Sequence, residues 1–264
     1  MANSIWIPVS GASAQERVVD TVANNLANAE TTAFKKDQIT FEEYLVKAKD
    51  GYDSVPRAPV KNKDLFPLDG KDKSMVAVSG SYTDFSQGPI EVTHSHMHFA
   101  IEGPGFFEIL TPRGVLYSRS GNFKLSVSGH LVTSEGFPVL ARKSAAPAAD
   151  SATDPRPEDR TIVGRTASGS FTLPAAEDLS IVSVRNLSLL RKVGAGLYAH
   201  VGDASDVVET SDGTSVLQGA LERSNVNTIQ EMTNLIKAHR SYEANINVVE
   251  SISSLPSGEI GKLK

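Results

Sequence analysis

The chain has 264 residues, a hydrophobic content of 40%, a net charge of −5 and no cysteine. Its size and apolar content allow a buried core, whereas the acidic balance argues against a nucleic-acid surface, which needs clustered basic residues. The absence of thiols excludes disulfide, thiolate and Cys-ligand zinc chemistry.

The first residues of the chain do not have the pattern of a secretory signal, which is a basic segment followed by an apolar one. No apolar run reaches the length of about 18 residues that a membrane-spanning helix needs. We therefore expect a protein that does not insert into a membrane. If it works outside the cytoplasm, we expect export without a cleaved signal peptide.

The N-terminal segment, residues 1–34, is predicted to be a helical arm. Its apolar residues repeat at steps of seven, with one more position four residues after the first, as in the a/d seam of a coiled coil. We expect these positions to form an interface: Ile5, Val9, Ala12, Val19 and Leu26.

The middle of the chain changes from a polar segment to a β-rich one. Residues 35–89 contain several prolines and paired charges, and they are predicted to be an extended linker or loop. Residues 90–220 show short alternating segments that are separated by glycine turns, as expected for an antiparallel β body. Within it, residues 141–170 are rich in Ala, Pro, Asp and Ser, which is typical of a mobile insertion.

The C-terminal segment, residues 221–264, is predicted to be a second helical arm that begins near Asn227 and Gln230, a pair that resembles a capping box. Its seam advances by steps of three and four. The expected interface positions are Met232, Leu235, His239, Tyr242, Ile246 and Val249.

The fold class predicted from these elements is mainly β with terminal α-helices, an antiparallel β body flanked by N- and C-terminal coiled-coil-like helices. One arm alone buries too little apolar surface to offset the entropy of ordering it. We therefore expect both arms to be largely disordered in the free monomer and to fold when neighbouring subunits cover them. The alternative is that both are ordinary amphipathic helices docked on a globular core.

The sequence offers little that indicates catalysis or a cofactor. His94, His96 and His98 alternate, but on a strand they would spread over about 13 Å, too far for one metal ion, and a polar strand face is the expected explanation. Gly194–Ala199 fits a dinucleotide-binding pattern by letter, yet no helix can follow it, so a hairpin turn is expected. We expect no cofactor, no metal and no catalytic residue.

Several longer segments of the chain form a recognisable set. They are Val22–Asn28 with Thr31–Lys35, Ala100–Phe107, Ser118–Phe123, Leu131–Leu140, Leu217–Asn227 and Ala238–Asn245. In this order, and spanning most of the chain, these segments resemble those of the bacterial flagellar rod and hook proteins. Ala33 stands where the family usually has glycine, and Pro104 where it usually has a small polar residue. The length and the segment Thr83–Gly88 look most like the proximal-rod member, with the distal-rod member as the close competitor.

The resemblance implies a non-enzymatic building block of the flagellar basal-body rod, placed in the periplasmic space and exported through the flagellar type III apparatus. Its implied partners are other rod subunits, further copies of itself and the export apparatus. The terminal arms would form the inner α layer of a helical tube and the β body its outer layer.

Two other functions stay open on the residues alone. One is a periplasmic glycan-processing enzyme, in which Glu102 and Glu108 would supply the pair of carboxylates. The other is a transient cap or assembly factor that binds the growing rod and then departs.

Overall fold

The structure, a computed structural model, describes residues 6–46, 73–141, 179–202, 206–209 and 213–254. Ile5 and most of the predicted insertion at 141–170 lie outside these residues. The chain divides into two compact units. Unit 1 comprises Met1–Leu26, Asp37–Tyr82 and Asn227–Lys264, and unit 2 comprises Ala27–Lys36 and Thr83–Val226.

A long helix lies near each end of the chain, as predicted. Helix α1 spans Trp6–Ala27 and helix α2 spans Thr228–Ser254. Asn227 caps α2, since its side-chain oxygen accepts a hydrogen bond from the backbone N–H of Gln230 at 3.1 Å. The capping position predicted for the second arm is therefore confirmed, whereas a coiled-coil partner for either helix stays a prediction.

Unit 1 also contains a two-stranded hairpin, where the sequence predicts only an extended linker. Strand β1 spans Asp37–Val46 and pairs with β2, which spans Lys73–Thr83. Side chains bridge the strands: Tyr82 donates to Gln38 at 2.6 Å and Thr40 to the carbonyl of Gly80 at 3.1 Å. Because an isolated two-stranded ribbon is marginally stable in water, these strands need a surface to pack on.

Unit 2 is an antiparallel β domain, as the sequence predicts. Its strands are β3 (Ile90–Val92), β4 (Phe99–Glu102), β5 (Phe106–Thr111), β6 (Gly114–Ser118), β7 (Lys124–Leu125), β8 (Leu131–Val132), β9 (Ile181–Val184), β10 (Leu190–Gly194), β11 (Leu197–His200), β12 (Val207–Glu209), β13 (Ser215–Gln218) and β14 (Ala220–Glu222). Six of them form one sheet in the order β10-β11-β6-β5-β9-β12. The others form two-stranded ribbons, β4 with β13, β3 with β14 and β7 with β8.

The core of unit 2 lies on both faces of the main sheet, because neighbouring residues of a strand point to opposite sides. Phe107 belongs to the larger cluster, which also includes Phe99, Ile101, Ile109, Phe123 and Leu131. Phe106, one residue earlier, belongs to a smaller cluster with Val184, Leu190 and Tyr198. Strand β5 therefore carries the centre of the domain.

Two local predictions have different outcomes. The Gly194–Gly196 segment forms the turn of the β10–β11 hairpin, with positive φ at Gly194, Ala195 and Gly196, so the expected hairpin turn is confirmed. The expectation of a strand at His94–His98 is wrong. His94 has φ of +59° and the chain turns between β3 and β4, so the three rings do not line one strand face.

Candidate assembly site

One face of α2 is turned towards its own unit. Glu231 and Ala238 are buried, and Leu235, Tyr242 and Asn245 are half-buried. These positions follow one another at steps of three and four, so they share one side of the helix. A Cβ atom added to Gly11 of α1 would lie 3.3 Å from the side chain of Asn245. The two helices therefore approach closely where α1 has no side chain.

The opposite face of α2 exposes a row of apolar side chains. Ile229 is 78% exposed, Met232 49% and Ile236 55%, and their spacing places them on one stripe. Helix α1 also exposes apolar residues in its first turn, Trp6 and Ile7. Apolar surface of this extent on neighbouring turns of a helix is typical of a surface that a partner covers. We call the residues Ile229, Met232 and Ile236 the outer stripe.

The predicted interface positions divide between buried and exposed sites. Ala12 is buried. Half-buried positions are Val19, Leu26, Leu235, Tyr242, Ile246 and Val249. Exposed positions are Val9, Met232 and His239. The exposed His239 ring lies 3.3 Å from the carboxylate of Glu243, one helical turn along α2. The role of all these positions in an interface stays a prediction.

A cleft of about 680 Å³ lies within unit 1, between α1 and the β1–β2 hairpin. Its lining is mixed, with hydroxyl, charged and aliphatic side chains. The residues that form it are Ser10, Ser13, Ala14, Arg17, Asp20, Thr21, Ile39, Val76, Ala77, Val78, Gly80 and Ser81.

The end of α1 is joined to the start of β1 by a buried amide. Asn25 is 2% exposed, and its side chain donates to the carbonyl of Asp37 at 2.8 Å while accepting from the N–H of Asp37 at 2.9 Å. One side-chain amide thus bonds both backbone groups of Asp37 and ties the end of α1 to the first residue of β1. Asn25 belongs to the first family-like segment, and the structure gives that asparagine a physical role.

Three charged residues from distant parts of the chain meet inside unit 2. Glu222 accepts from Lys35 Nζ at 2.5 Å through one carboxylate oxygen and from Arg119 Nε at 2.8 Å through the other. The N–H of Gly88 also donates to the oxygen that Lys35 contacts, at 2.9 Å. All three charged side chains are buried. We call Lys35, Arg119 and Glu222 the charge cluster.

Arg119 extends the charge cluster to the loop that follows β4. Its guanidinium donates to the carbonyls of Ile101 at 3.3 Å, Gly103 at 2.5 Å and Gly105. The planar guanidinium has five N–H groups, so it can satisfy several carbonyls and a carboxylate together. The Gly103–Pro104–Gly105 segment is therefore held by a side chain from another strand region.

Backbone and amide contacts surround the charge cluster. The N–H of Ala33 donates to the carbonyl of Glu222 at 2.9 Å, and the N–H of Asn225 donates to the carbonyl of Phe34 at 3.2 Å. The side chain of Asn225 accepts from the N–H of Lys36 at 2.9 Å and donates to the carbonyl of Asp84 at 2.9 Å. Residues 33–36 and 222–225 are thus bound along their lengths, and we call this contact the clasp.

Burial dominates the electrostatics of Lys35. Loss of hydration lowers the pKa of Lys35 from its ordinary value of 10.5, and the guanidinium of Arg119 acts in the same direction, while the Glu222 carboxylate opposes them. Beside it, Lys192 donates to the carbonyl of Lys35 at 2.6 Å and lies 4.3 Å from the ring centroid of Phe34. Strand β10 is therefore also attached to the clasp.

Two residues beside the charge cluster have little freedom to change. Ala33 is buried with φ of +54°, a conformation that favours glycine, and this is the position where the resembling family usually has glycine. A Cβ on Gly88 would lie 2.1 Å from the carbonyl oxygen of Arg223, so only glycine can approach the backbone there so closely. The left-handed backbone thus explains the glycine that the family usually has at position 33.

The carboxylates that the enzyme hypothesis needs have other roles. Glu108 is buried on β5 and accepts a hydrogen bond from Ser180 at 2.6 Å. Glu102 is exposed and accepts from Ser215 on the paired strand at 3.1 Å. Within the described part of the chain, no group of three histidine or acidic side chains is arranged to hold a metal ion.

Sequence reasoning missed the charge cluster, because each member alone is an ordinary charged residue. A signal was present nonetheless: Lys35, Arg119 and Glu222 each lie within a different family-like segment. The outer stripe was missed in part, since Ile229 and Ile236 fall outside the seam that the three-and-four spacing selects.

No helix in the described ranges is long and apolar enough to cross a membrane. Three family models match the chain. Residues 7–35 match the flagella basal body rod protein, residues 100–184 the flagellar hook protein FlgE/F/G D1 domain, and residues 217–255 the flagellar basal body rod FlgEFG protein C-terminal region.

Named relatives match over almost the whole chain. FlgG, the flagellar basal-body rod protein of Buchnera aphidicola from Schizaphis graminum, is 31% identical over 93% of this chain and 94% of its own length. FlgG of Borreliella burgdorferi is 31% identical over 97% of this chain and 96% of its own length. FlgF of Caulobacter vibrioides is 29% identical over 100% of this chain and 98% of its own length.

Proposed function

Because the chain belongs to the flagellar basal-body rod protein family, and is a structural subunit of that rod rather than an enzyme, we propose that helices α1 and α2 hold it to its neighbours. Rod subunits assemble with one another, so part of their surface must be apolar and open before assembly. The helices of unit 1 provide such a surface, whereas the charged centre of unit 2 is buried.

The observation that carries the proposal is the outer stripe on α2. The half-buried face of the same helix carries Asn245, which meets Gly11 of α1, and the outer stripe lies on the side away from this contact. The exposed Trp6, Ile7 and Val9 add apolar surface on α1. Burying such side chains contributes roughly 1.5–3 kcal/mol each, which suffices to drive association when several are covered together.

The predicted seam positions form the second part of this proposal. Val9, Met232 and His239 are exposed enough to meet a neighbour directly. Of the half-buried positions, Val19 and Ile246 complete the contact at its edge, while Leu235 and Tyr242 lie on the inner face of α2 and support it from within. We expect the helices to be ordered fully only in the assembled rod, as coiled-coil-like contacts form between copies of this chain or with other rod subunits.

The proposal leaves two places for the subunit within the rod. FlgG and FlgF relatives are similarly close to this chain, so a position in either the proximal or the distal rod fits it. We propose that the chain reaches the rod, in the periplasmic space, through the flagellar export apparatus. A labelled copy in a map of isolated basal bodies would place it.

Substituting an aspartate into the outer stripe tests the proposal. Ile236→Asp should leave the thermal unfolding of the purified chain nearly unchanged, because the side chain is exposed in the monomer. It should abolish swimming in soft agar and remove the subunit from purified basal bodies, since a carboxylate in an apolar contact costs about 3 kcal/mol or more.

Asn247→Asp is the matched control, because it adds the same charge to an exposed position on the same side of α2. It should assemble and swim as the wild type does. Normal swimming of the Ile236→Asp strain would contradict the proposal. A wild-type subunit absent from mature basal bodies would indicate a transient cap or assembly factor instead.

A further inference from the structure

We propose that the charge cluster is a folding lock: residues 33–36 and β3 take their final positions only when Glu222, from the C-terminal part of unit 2, binds Lys35 and Arg119. This inference concerns how a single chain completes its fold, and it does not depend on the rod function. It gives the buried charges a role that the assembly surface does not explain.

The first step of the argument is the charge balance. Among the described residues, Glu222 is the one acidic group that forms an ion pair with Lys35 or with Arg119. The side chains of Lys35 and Glu222 are each 1% exposed, and that of Arg119 is 6% exposed. Two cations cannot leave water for such a site without a counter-charge. Lys35 and Arg119 must therefore stay hydrated until Glu222 arrives.

The second step is the strand pairing around Glu222. In the part of the chain that the structure describes, β3 pairs only with β14, while β4 pairs with β13 and its first residue, Phe99, also donates its N–H to the carbonyl of Gly121 at 3.0 Å. Both partner strands lie in residues 215–222, immediately before or at Glu222. The segment that supplies the counter-charge therefore also supplies the strand partners of β3 and β4.

The third step is the order in which contacts can close. Lys35 and Glu222 are 187 residues apart in the chain, and Arg119 and Glu222 are 103 apart. The β5–β6 and β10–β11 hairpins need only short turns. Because closing a long loop costs more entropy than closing a hairpin, the β5–β6 and β10–β11 hairpins should form first and the clasp last.

The lock has a consequence for a chain whose C-terminal part is not yet present. Until residues 215–225 are present, the sheet can form while the segment that leads from α1 into unit 2 stays open. A chain whose C-terminal part has not yet been released, or has been pulled away, therefore keeps residues 33–36 exchangeable. Completion of unit 2 therefore requires that residues 33–36 and residues 215–225 are both in place.

Hydrogen exchange on the full chain, followed by mass spectrometry, tests the lock. In pulse-labelled refolding, amides of β5 and β6 should become protected before those of residues 33–36 and 90–92. At equilibrium, Glu222→Gln should raise the exchange rates of residues 33–36 and 90–92 by roughly 100-fold, because it leaves two buried cations without their counter-charge. The amides of β5 and β6 should change much less.

Glu91→Gln is the matched control. Glu91 lies on β3, in the same ribbon as Glu222, but its ion pair with Arg223 at 3.5 Å is exposed at both side chains. Breaking an exposed pair changes stability little, so exchange at residues 33–36 should rise by no more than about threefold.

A double variant separates charge from shape. Lys35→Met in the Glu222→Gln background removes one uncompensated cation and should restore at least about tenfold of the lost protection, or restore folding if Glu222→Gln alone does not fold. The lock is overturned if Glu222→Gln keeps wild-type protection. It is overturned equally if the double variant is no better protected than Glu222→Gln, or if residues 33–36 become protected together with β5 and β6.

Discussion

Unit 2 buries charged side chains in its charge cluster, whereas the helices of unit 1 leave apolar side chains exposed. In unit 2, Lys35, Arg119 and Glu222 are removed from water and each is hydrogen-bonded within its own unit. In unit 1, Ile229 and Ile236 stay exposed although they are apolar. Unit 2 thus satisfies its buried charges within itself, whereas the apolar surface of unit 1 is what we propose a neighbouring molecule covers.

The same difference decides which property a substitution changes, the stability of the chain or its assembly. A buried cluster of charges adds little net stability, yet breaking it is costly because a charge stays behind without a partner. An exposed apolar stripe works the other way. Changing one of its side chains costs the single chain little stability and matters only when a partner covers the stripe. Substitutions in unit 2 should therefore affect the single chain, and substitutions on the outer stripe should affect the assembly.

The largest expected effect comes from Arg119→Leu. This change removes the donor to the Glu222 carboxylate and to the carbonyls of Gly103 and Gly105. The free energy of unfolding should fall by about 3–5 kcal/mol, since buried acceptors lose their partner. Urea unfolding followed by circular dichroism measures it.

Arg223→Leu serves as the control for that variant. Arg223 is exposed and its ion pair with Glu91 is 3.5 Å long, so the loss should stay below about 1 kcal/mol. Similar losses for Arg119→Leu and Arg223→Leu would remove the distinction between buried and exposed charge on which the comparison depends.

A smaller effect is expected at Ala33, where the clasp needs a left-handed backbone. Ala33→Val should lower the free energy of unfolding by about 2–3 kcal/mol, because a β-branched side chain is strained at φ of +54° and the site is buried. Ala33→Gly should stay within about 1 kcal/mol of the wild type, since relief of strain offsets the lost methyl group and the freer unfolded chain. A larger loss for glycine than for valine in thermal unfolding would contradict the assigned backbone.

The smallest effect is a pH dependence that comes from Lys35. Burial lowers the pKa of Lys35 below 10.5, so between the folded and the unfolded pKa the unfolded chain binds more protons than the folded one. Stability of the wild type relative to Lys35→Met should therefore rise with pH in this window, by at most about 1.4 kcal/mol per pH unit. Below the folded pKa the difference should be constant.

Urea titrations of both proteins at a series of alkaline pH values measure that slope. Because Lys35→Met removes only this titrating group, the ionisation of the tyrosines and other lysines cancels in the difference. A difference that falls with rising pH would mean that the carboxylate of Glu222, rather than burial, controls Lys35.

Periodicity and turn chemistry predicted much of the fold. Steps of three and four residues indicate α1 and α2 because the helical period is built into the order of apolar residues. Glycines such as Gly114 and Gly196 mark hairpins, since both take positive φ in the structure. Short alternating segments such as Phe99–Glu102, which is strand β4, indicate the β body. These features depend on residues that are close in sequence.

The parts that sequence reasoning missed depend on residues far apart. Strands β3, β13 and β14 have three or four residues each, too few to show alternation, and they exist because they pair with each other or with β4 across the chain. Nothing near Lys35 indicates that Glu222 will bind it. The hairpin of unit 1 was predicted as extended, since the segment contains prolines and paired charges that are typical of loops.

The chain contains a single tryptophan, Trp6, and it lies 56% exposed in the first turn of α1. Its indole is therefore a native optical probe on the helix that we propose meets neighbouring subunits. Emission excited at the red edge of the protein absorption band comes from this one site and follows its contact with water. The progress of polymerisation can thus be read from the unlabelled protein, without attaching a dye to the surface under study.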